Sequence, residues 1–261
     1  MLLEKRLEEI LKLVEKEGSV TVQELTERLQ ASESTIRRDL SLLDEEGKIN
    51  KVHGGATAIN ASYYASVQDV EVEYRKNLNW EEKTEIAKYA ASLIRPNDLV
   101  YLDAGTTTDR VIDFITEKQA VYVTNAIGHA KRLVEAGCEA HILGGKFKLS
   151  TEAIVGIETA AEMEKFNFTI GFIGTNGIDR RFGFSTPDID EAMVKRKAVQ
   201  QCRRPYILGD PGKFQQISPV TFAGIEDADL ITTEITEDSY RDLSNIIEIK
   251  NERKRRERKT E

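Results

Sequence analysis

The sequence predicts an α/β protein in two parts: a small helical unit with a β-wing over residues 1–57, and a mostly parallel α/β domain over residues 80–249. Three observations predict it. Apolar residues recur at helical spacing through the first 45 positions, broken by one connection of four residues. Short apolar runs then recur at 99–102, 120–124, 140–143, 168–174, 205–208 and 229–232. Helix-length segments such as 109–117, 126–136 and 188–203 separate several of these runs, and strands alternating with helices imply a parallel sheet covered on both faces.

Composition sets the bounds. The 261 residues are 40% hydrophobic, enough for a packed core, and the formal net charge of −8 argues against general affinity for nucleic acid. Residues 1–57 hold nine Lys or Arg against twelve Asp or Glu, so any nucleic-acid contact there is local and salt-sensitive. Cys138 and Cys202 lie 64 positions apart with no second Cys near either, which excludes a CxxC zinc or redox motif and reads as two reduced core thiols. No metal site and no cofactor are expected. No apolar run approaches the roughly 18 residues a membrane helix needs, and the N-terminus is a charged amphipathic segment, so a cytoplasmic protein with no membrane partner is expected.

Leu3, Leu7, Ile10, Leu11 and Val14 form the stripe of a first helix, ended by Gly18; Lys5 and Arg6 at its start are in reach of a phosphate. Val22, Leu25 and Leu29 mark a second helix, and Ile36, Leu40 and Leu43 a third. Only Gln30-Ala31-Ser32-Glu33 joins them, and so short a connection forces a sharp crossing, the helix-turn-helix arrangement. Ser32 is a natural N-cap. With 36, 40 and 43 turned inward, Ser34, Thr35, Arg37, Arg38 and Ser41 face outward, residue types that suit base edges or phosphates. Gly47 to Gly55 alternates between glycines as a wing does, with Lys48, Lys51 and His53 on its outer side. The unit is therefore a winged helix-turn-helix, and its candidate contacts to double-stranded DNA are Ser32, Ser34, Thr35, Arg37, Arg38, Lys48, Lys51 and His53.

Ser34-Thr35-Ile36-Arg37-Arg38-Asp39-Leu40 and Lys51-Val52-His53-Gly54-Gly55-Ala56 resemble the DNA-binding signature of the DeoR family of bacterial sugar-catabolism repressors.

Residues 58–79 lose the periodic pattern and read as a linker. A helix over 82–94 follows, from the spacing of Ile86, Tyr89, Ala90, Leu93 and Ile94. In a parallel sheet, ligands bind at the carboxyl ends of the strands. There the sequence sets Asp103-Ala104-Gly105-Thr106-Thr107-Thr108, then Thr124-Asn125, Gly144-Gly145-Lys146 and Gly174-Thr175-Asn176-Gly177. Hydroxyls and backbone N–H groups at a helix start suit a phosphate. Lys146, Lys148, Lys195 and Lys213 follow these loops or their helices. The basic tail, 250–261, carries seven Lys or Arg against three acids and reads as a solvated end.

These loops extend the resemblance, together with Thr151-Glu152-Ala153, Val155-Gly156, and Asp210 with Lys213-Phe214; it runs from about residue 1 to 249. It implies an effector domain with a fold similar to sugar-phosphate isomerases, and a phosphorylated sugar as ligand. The effector-binding residues it implies are Asp103, Gly105, Thr106, Thr107, Thr108, Thr124, Asn125, Gly144, Gly145, Lys146, Glu152, Thr175, Asn176, Glu191, Lys195, Asp210 and Lys213. Gly183 to Asp188 with Glu191 and Lys195 is similar to the branch that regulates fructose uptake, implying fructose 1-phosphate; a lactose and tagatose 6-phosphate regulator is the sibling alternative. A homodimer or homotetramer on operator DNA is expected. The rival reading is a sugar-phosphate isomerase with an accessory DNA-binding unit. Proton shuttling needs a carboxylate base, and the loop that is acidic in the isomerases is here Gly-Thr-Asn-Gly-Ile; Asp103, Glu152, Asp179 and Glu191 remain as candidate bases. No catalytic residue is assigned.

Overall fold

The computed structural model describes residues 3–17, 19–46, 48–52, 54–58 and 78–249. It divides into two compact units, one within residues 1–68 and one within 69–261. His53, nearly all of the expected linker and the basic tail lie outside the described residues.

The smaller unit is α1 (Leu3–Glu17), β1 (Ser19–Thr21), α2 (Val22–Leu29), α3 (Glu33–Glu45), β2 (Ile49–Val52) and β3 (Gly55–Ala58). Thr21 and Glu24 form a capping box at the start of α2, the Thr21 hydroxyl accepting from Glu24 N at 3.1 Å and the Glu24 carboxylate from Thr21 N at 2.8 Å. Gln30 ends the helix in the left-handed region, at φ 49°, and Ser32 caps α3. The inward residues expected of the helices, Ile10, Val14, Val22, Leu25, Leu29, Ile36, Leu40 and Leu43, form one buried cluster. The wing is larger than the Gly47 to Gly55 stretch. Its second strand continues to Ala58, and Ser19–Thr21 joins as a third strand in the order β1-β3-β2. Three residues are too few for alternation to register in the sequence. A side chain at Gly55 would meet Val20 O at 2.1 Å, so only glycine allows that pairing.

The larger unit runs α4 (Trp80–Ser92), β4 (Leu99–Leu102), α5 (Thr106–Val111), β5 (Val121–Thr124), α6 (Ile127–Glu135), β6 (Glu139–Ile142), β7 (Lys146–Lys148), β8 (Ala153–Val155) and α7 (Ile157–Glu162). It continues with β9 (Ile170–Gly174), β10 (Gly177–Asp179), β11 (Gly183–Thr186), α8 (Ile189–Gln201), β12 (Pro205–Leu208), β13 (Val220–Ala223), β14 (Asp229–Thr232) and β15 (Ile246–Glu248). A seven-stranded sheet, order β15-β14-β12-β9-β4-β5-β6, is parallel at every pairing. The pleat sends Val100 and Leu102 to one face with Ile86, Ala90 and Ile112, and Tyr101 to the other with Val194 and Ala198 of α8, so both faces are covered.

The helix expected over 109–117 starts three residues earlier, at Thr106, and gives way after Val111 to a 3₁₀ turn, Ile112–Phe114, because Ile115 turns extended and buries itself. The hairpin β7–β8, the antiparallel sheet β10-β11-β13 and the edge strand β15 were not foreseen. They are three or four residues long, too short for a periodic signal. Both cysteines are free; burial pushes the Cys202 thiol up to about 12.

Candidate functional sites

In the smaller unit, α3 turns Ser34, Arg37 and Arg38 to solvent, with Thr35 half-buried. Ser32 Oγ accepts from Thr35 N at 3.3 Å and lies 3.0 and 2.8 Å from the hydroxyls of Ser34 and Thr35, so three hydroxyls gather at the helix start. Arg37 pairs loosely with Glu33 at 3.5 Å, while Arg38 makes no hydrogen bond or ion pair with the described residues. Lys48 pairs with Glu46 at 2.8 Å. Lys51 Nζ donates to Ser41 Oγ at 2.7 Å, and Ser41 donates in turn to Arg37 O at 2.9 Å, so this lysine braces the wing against α3. Arg6, expected in reach of a phosphate, instead grips the buried Asp39 carboxylate with two nitrogens, at 2.5 and 3.1 Å, and ties α1 to α3.

In the larger unit the four small polar loops stand at carboxyl ends of parallel strands, but they do not converge on one spot. A cleft of about 120 Å³ opens between the start of α5, the start of α6 and the β7–β8 connection. Gly105, Thr106 and Glu152 of the expected residues line it, joined by Gly128, Arg132 and Thr151, which sequence reasoning did not pick out as ligands. The Thr151 hydroxyl is buried and has no hydrogen-bond partner among the described residues. Helix α6 starts at Ala126 with no side-chain cap, leaving first-turn N–H groups to be satisfied from outside. The guanidinium of Arg132, half-buried, pairs with Asp109 and with Asp113. Behind the wall, Lys83 is buried on α4 and donates to Thr106 Oγ1 at 3.1 Å. Its signal was in the sequence: a lysine in the same helical stripe as Ile86 and Ala90.

Other expected residues serve the protein itself. Asn125 Oδ1 accepts from Tyr101 Oη at 3.0 Å and Ala104 N at 2.9 Å, and its Nδ2 donates to Ile154 O at 3.0 Å. The Thr108 hydroxyl donates to Asp103 O at 2.6 Å, and Thr124 Oγ1 accepts from Ala126 N at 3.2 Å. Thr107 is buried in the first turn of α5. Gly144 N donates to Glu162 at 2.6 Å, and Gly145, at φ +142°, has Thr159 Oγ1 where a Cβ would stand, 2.0 Å away. Lys146 pairs with Asp190 at 3.2 Å.

A second group surrounds the end of β9. Asp103 Oδ2 accepts from Lys195 Nζ at 2.5 Å and from Gly174 N at 3.0 Å, and Lys195 also donates to Gly174 O at 3.0 Å. Burial pushes the Asp103 carboxyl above its usual range, against the pull of Lys195 and of the Gly174 N–H. Thr186 donates to Asn176 Oδ1 and Glu191 Oε2, each at 3.2 Å, Glu191 meets Lys148 at 3.3 Å, and Thr175 donates to Gly177 O at 2.8 Å. A third group lies beyond β12, where buried Asp210 accepts from Asn79 at 2.6 Å and caps the turn that carries Lys213. Of the other carboxylates considered as bases, Asp179 accepts from Arg181 N and Phe182 N at 2.8 Å and so caps the β10–β11 turn. Two more open grooves, of about 440 and 470 Å³, run along α8, apart from the strand ends.

Two family models match this chain: the DeoR-like helix-turn-helix domain over residues 6–62 and the DeoR C terminal sensor domain over residues 78–234. The chain is 42% identical over 258 residues to an uncharacterized HTH-type transcriptional regulator FruR of Bacillus subtilis (strain 168), covering 96% of this chain and all of that one. It is 31% identical over 252 residues to the lactose phosphotransferase system repressor of Streptococcus mutans serotype c, covering 95% of this chain and 99% of that one. A ribose 5-phosphate isomerase from Plasmodium falciparum overlaps 51% of this chain and 52% of its own, at 18% identity and a TM-score of 0.38, a likeness too slight to carry an argument. With a recognition helix and wing in one unit, a polar cleft at the strand ends of the other, and both family models matched, the chain belongs to the DeoR family of transcriptional regulators.

Proposed function

We propose that the chain represses a sugar-uptake or sugar-catabolism operon in the bacterial cytoplasm, binding operator DNA through α3 and its wing and leaving it when a phosphorylated sugar occupies the cleft. The observation that carries the effector half is the cleft wall: a buried Thr151 hydroxyl without a partner shares one opening with the uncapped start of α6. Both call for an anionic acceptor, and a phosphate supplies oxygens for the hydroxyl and the N–H groups alike. Arg132 can turn from Asp113 toward such a ligand, and Lys83 adds positive charge behind Thr106.

Fructose 1-phosphate is the first candidate, supported by the similarity to a regulator named FruR. The similarity to lactose phosphotransferase repressors keeps tagatose 6-phosphate as the second reading. Regulation is favoured over turnover because three of the four carboxylates suited to move a proton are already engaged: Asp103 by Lys195, Glu191 by Lys148 and Thr186, Asp179 by its own turn. Glu152 stands exposed at the cleft. Ligand binding shifts the population away from the DNA-binding geometry, a coupling commonly worth about 1–3 kcal/mol.

Thermal unfolding of the purified protein with fructose 1-phosphate, tagatose 6-phosphate and fructose 6-phosphate in turn tests the cleft. A ligand at about 100 times its Kd adds roughly 2.7 kcal/mol and raises the midpoint. No shift with any of the three, or conversion of any of them, removes the proposal.

A further inference from the structure

The cleft between α5 and α6 is acidic for a site that takes a phosphate. Asp109 and Glu152 line it, and Asp113 stands beside it on the far side of Arg132. Against these carboxylates the described lining sets one guanidinium, Arg132, already shared between Asp109 and Asp113. Lys83 adds a single charge from behind Thr106. Above pH 7 a sugar phosphate brings close to two further negative charges. Like charges held together in a narrow cleft repel, so the occupied site needs positive charge that the empty one lacks.

One lining residue can supply it. His129 is 6% exposed and lies in the first turn of α6, whose start has no side-chain cap. The buried Thr151 hydroxyl, with no hydrogen-bond partner among the described residues, shares the same opening. His129 Nε2 lies 3.4 Å from Asp109 Oδ1, the oxygen that also takes the Arg132 guanidinium. The imidazole therefore faces Asp109 from α5, Arg132 from its own helix and Glu152 from the β7–β8 connection, with Asp113 beyond Arg132. An imidazole ordinarily titrates near 6.5, so one proton from solvent gives it a full charge close to neutral pH, whereas a carboxylate ordinarily titrates near 4 and is far from taking that proton.

With the cleft as the phosphate site of the proposed function, we propose that His129 is an effector-binding residue that takes up a proton when a sugar phosphate enters. The proton comes from solvent, no bond to carbon or phosphorus changes, and the imidazolium balances charge on the incoming dianion. The effector binds more tightly as pH falls toward neutral, and operator release follows at lower sugar-phosphate concentration. An unphosphorylated sugar brings no charge to balance and draws no proton.

Calorimetric titration of the full chain with fructose 1-phosphate, and separately with tagatose 6-phosphate, in buffers of different ionisation enthalpy counts the protons exchanged. Net uptake is expected at pH 7 for the wild type and none for His129→Gln. From pH 7 to 8.5 the phosphate stays dianionic. Wild-type affinity is expected to fall about threefold over that range, the change for an ordinary imidazole whose pKa the ligand raises by about one, while His129→Gln stays level. The unmodified protein gives a second readout. It has three histidines, His53, His129 and His141, and NMR should show one imidazole whose titration midpoint rises with ligand. His53→Gln and His141→Gln assign that signal by elimination should His129→Gln fail to fold. Binding without proton uptake, uptake that persists in His129→Gln, or a His129 midpoint that ignores ligand overturns the proposal and leaves the cleft as the phosphate site. No binding of either sugar phosphate at any pH removes both.

Discussion

Lys195 reaches from α8 to hold Asp103 at the end of β4, Nζ 2.5 Å from Oδ2, with both side chains buried. Removing one partner of a buried ion pair strands the other as an uncompensated charge. Asp103→Asn and Lys195→Met are each expected to cost about 3–5 kcal/mol in urea unfolding, and the double variant less than the sum of the two. Single variants as stable as the wild type would show that solvent reaches the pair and that it does not hold α8 to the sheet.

Thr151 separates recognition from stability. Its hydroxyl is buried with no partner, so Thr151→Val removes a desolvated polar group without leaving another unpaired. Urea unfolding is expected to show unchanged or slightly raised stability, while sugar-phosphate affinity falls by roughly tenfold, about 1.4 kcal/mol for one lost hydrogen bond to an anion. Loss of stability with effector affinity intact would remove Thr151 from the site.

On the DNA side, the two exposed cations Arg38 and Lys51 are expected to behave differently. Arg38→Ala should weaken operator binding by about 1–3 kcal/mol, as for an arginine at a base edge, and leave sugar-phosphate binding unchanged. Lys51 is committed to Ser41, so Lys51→Met should leave the slope of log affinity against log salt as it was. A slope reduced by about 0.9 would make Lys51 a phosphate contact.

The order and type of the main elements were legible because long, regular patterns carry them: the stripes Val22, Leu25, Leu29 and Ile36, Leu40, Leu43, and the apolar runs that became β4, β12 and β14 with the same bounds. The site was legible only in outline. Backbone groups at strand ends need partners, so small polar residues collect there whether or not a ligand binds; Asn125 and Thr108 answer the protein's own backbone. Arg132 comes from a helix rather than a strand-end loop, and only the sheet order brings α5 and α6 to one cleft, with Lys83 of α4 buried behind its wall at Thr106. Arg6 looked like a surface charge because its partner, Asp39, lies two helices away in sequence.

The β7–β8 hairpin is clamped to the start of α8 by Lys148, which meets Asp188 at 2.9 Å and Glu191 at 3.3 Å. Partial burial pushes the Asp188 carboxyl up, but the hydrogen bonds from Lys148 and the Glu191 N–H outweigh it and leave the group below its usual range. A depressed folded pKa means that stability is present above the unfolded value of about 3.9 and is lost as pH falls through the folded value. The stability difference between the wild type and Lys148→Met is therefore expected at neutral pH and should shrink under acid. A difference that persists unchanged at low pH would assign the clamp to packing of the lysine stem.

The most direct measurement is fluorescence anisotropy of the full-length protein on its own upstream DNA at fixed salt, titrated with fructose 1-phosphate and separately with tagatose 6-phosphate and fructose 6-phosphate. The expected result is tight binding to that DNA, release by fructose 1-phosphate, and no release of the Lys83→Met variant, which should still bind the DNA. Release by tagatose 6-phosphate alone would keep the switch and change its sugar. DNA binding that no sugar phosphate disturbs would contradict the claim that the cleft between α5 and α6 controls the recognition helix.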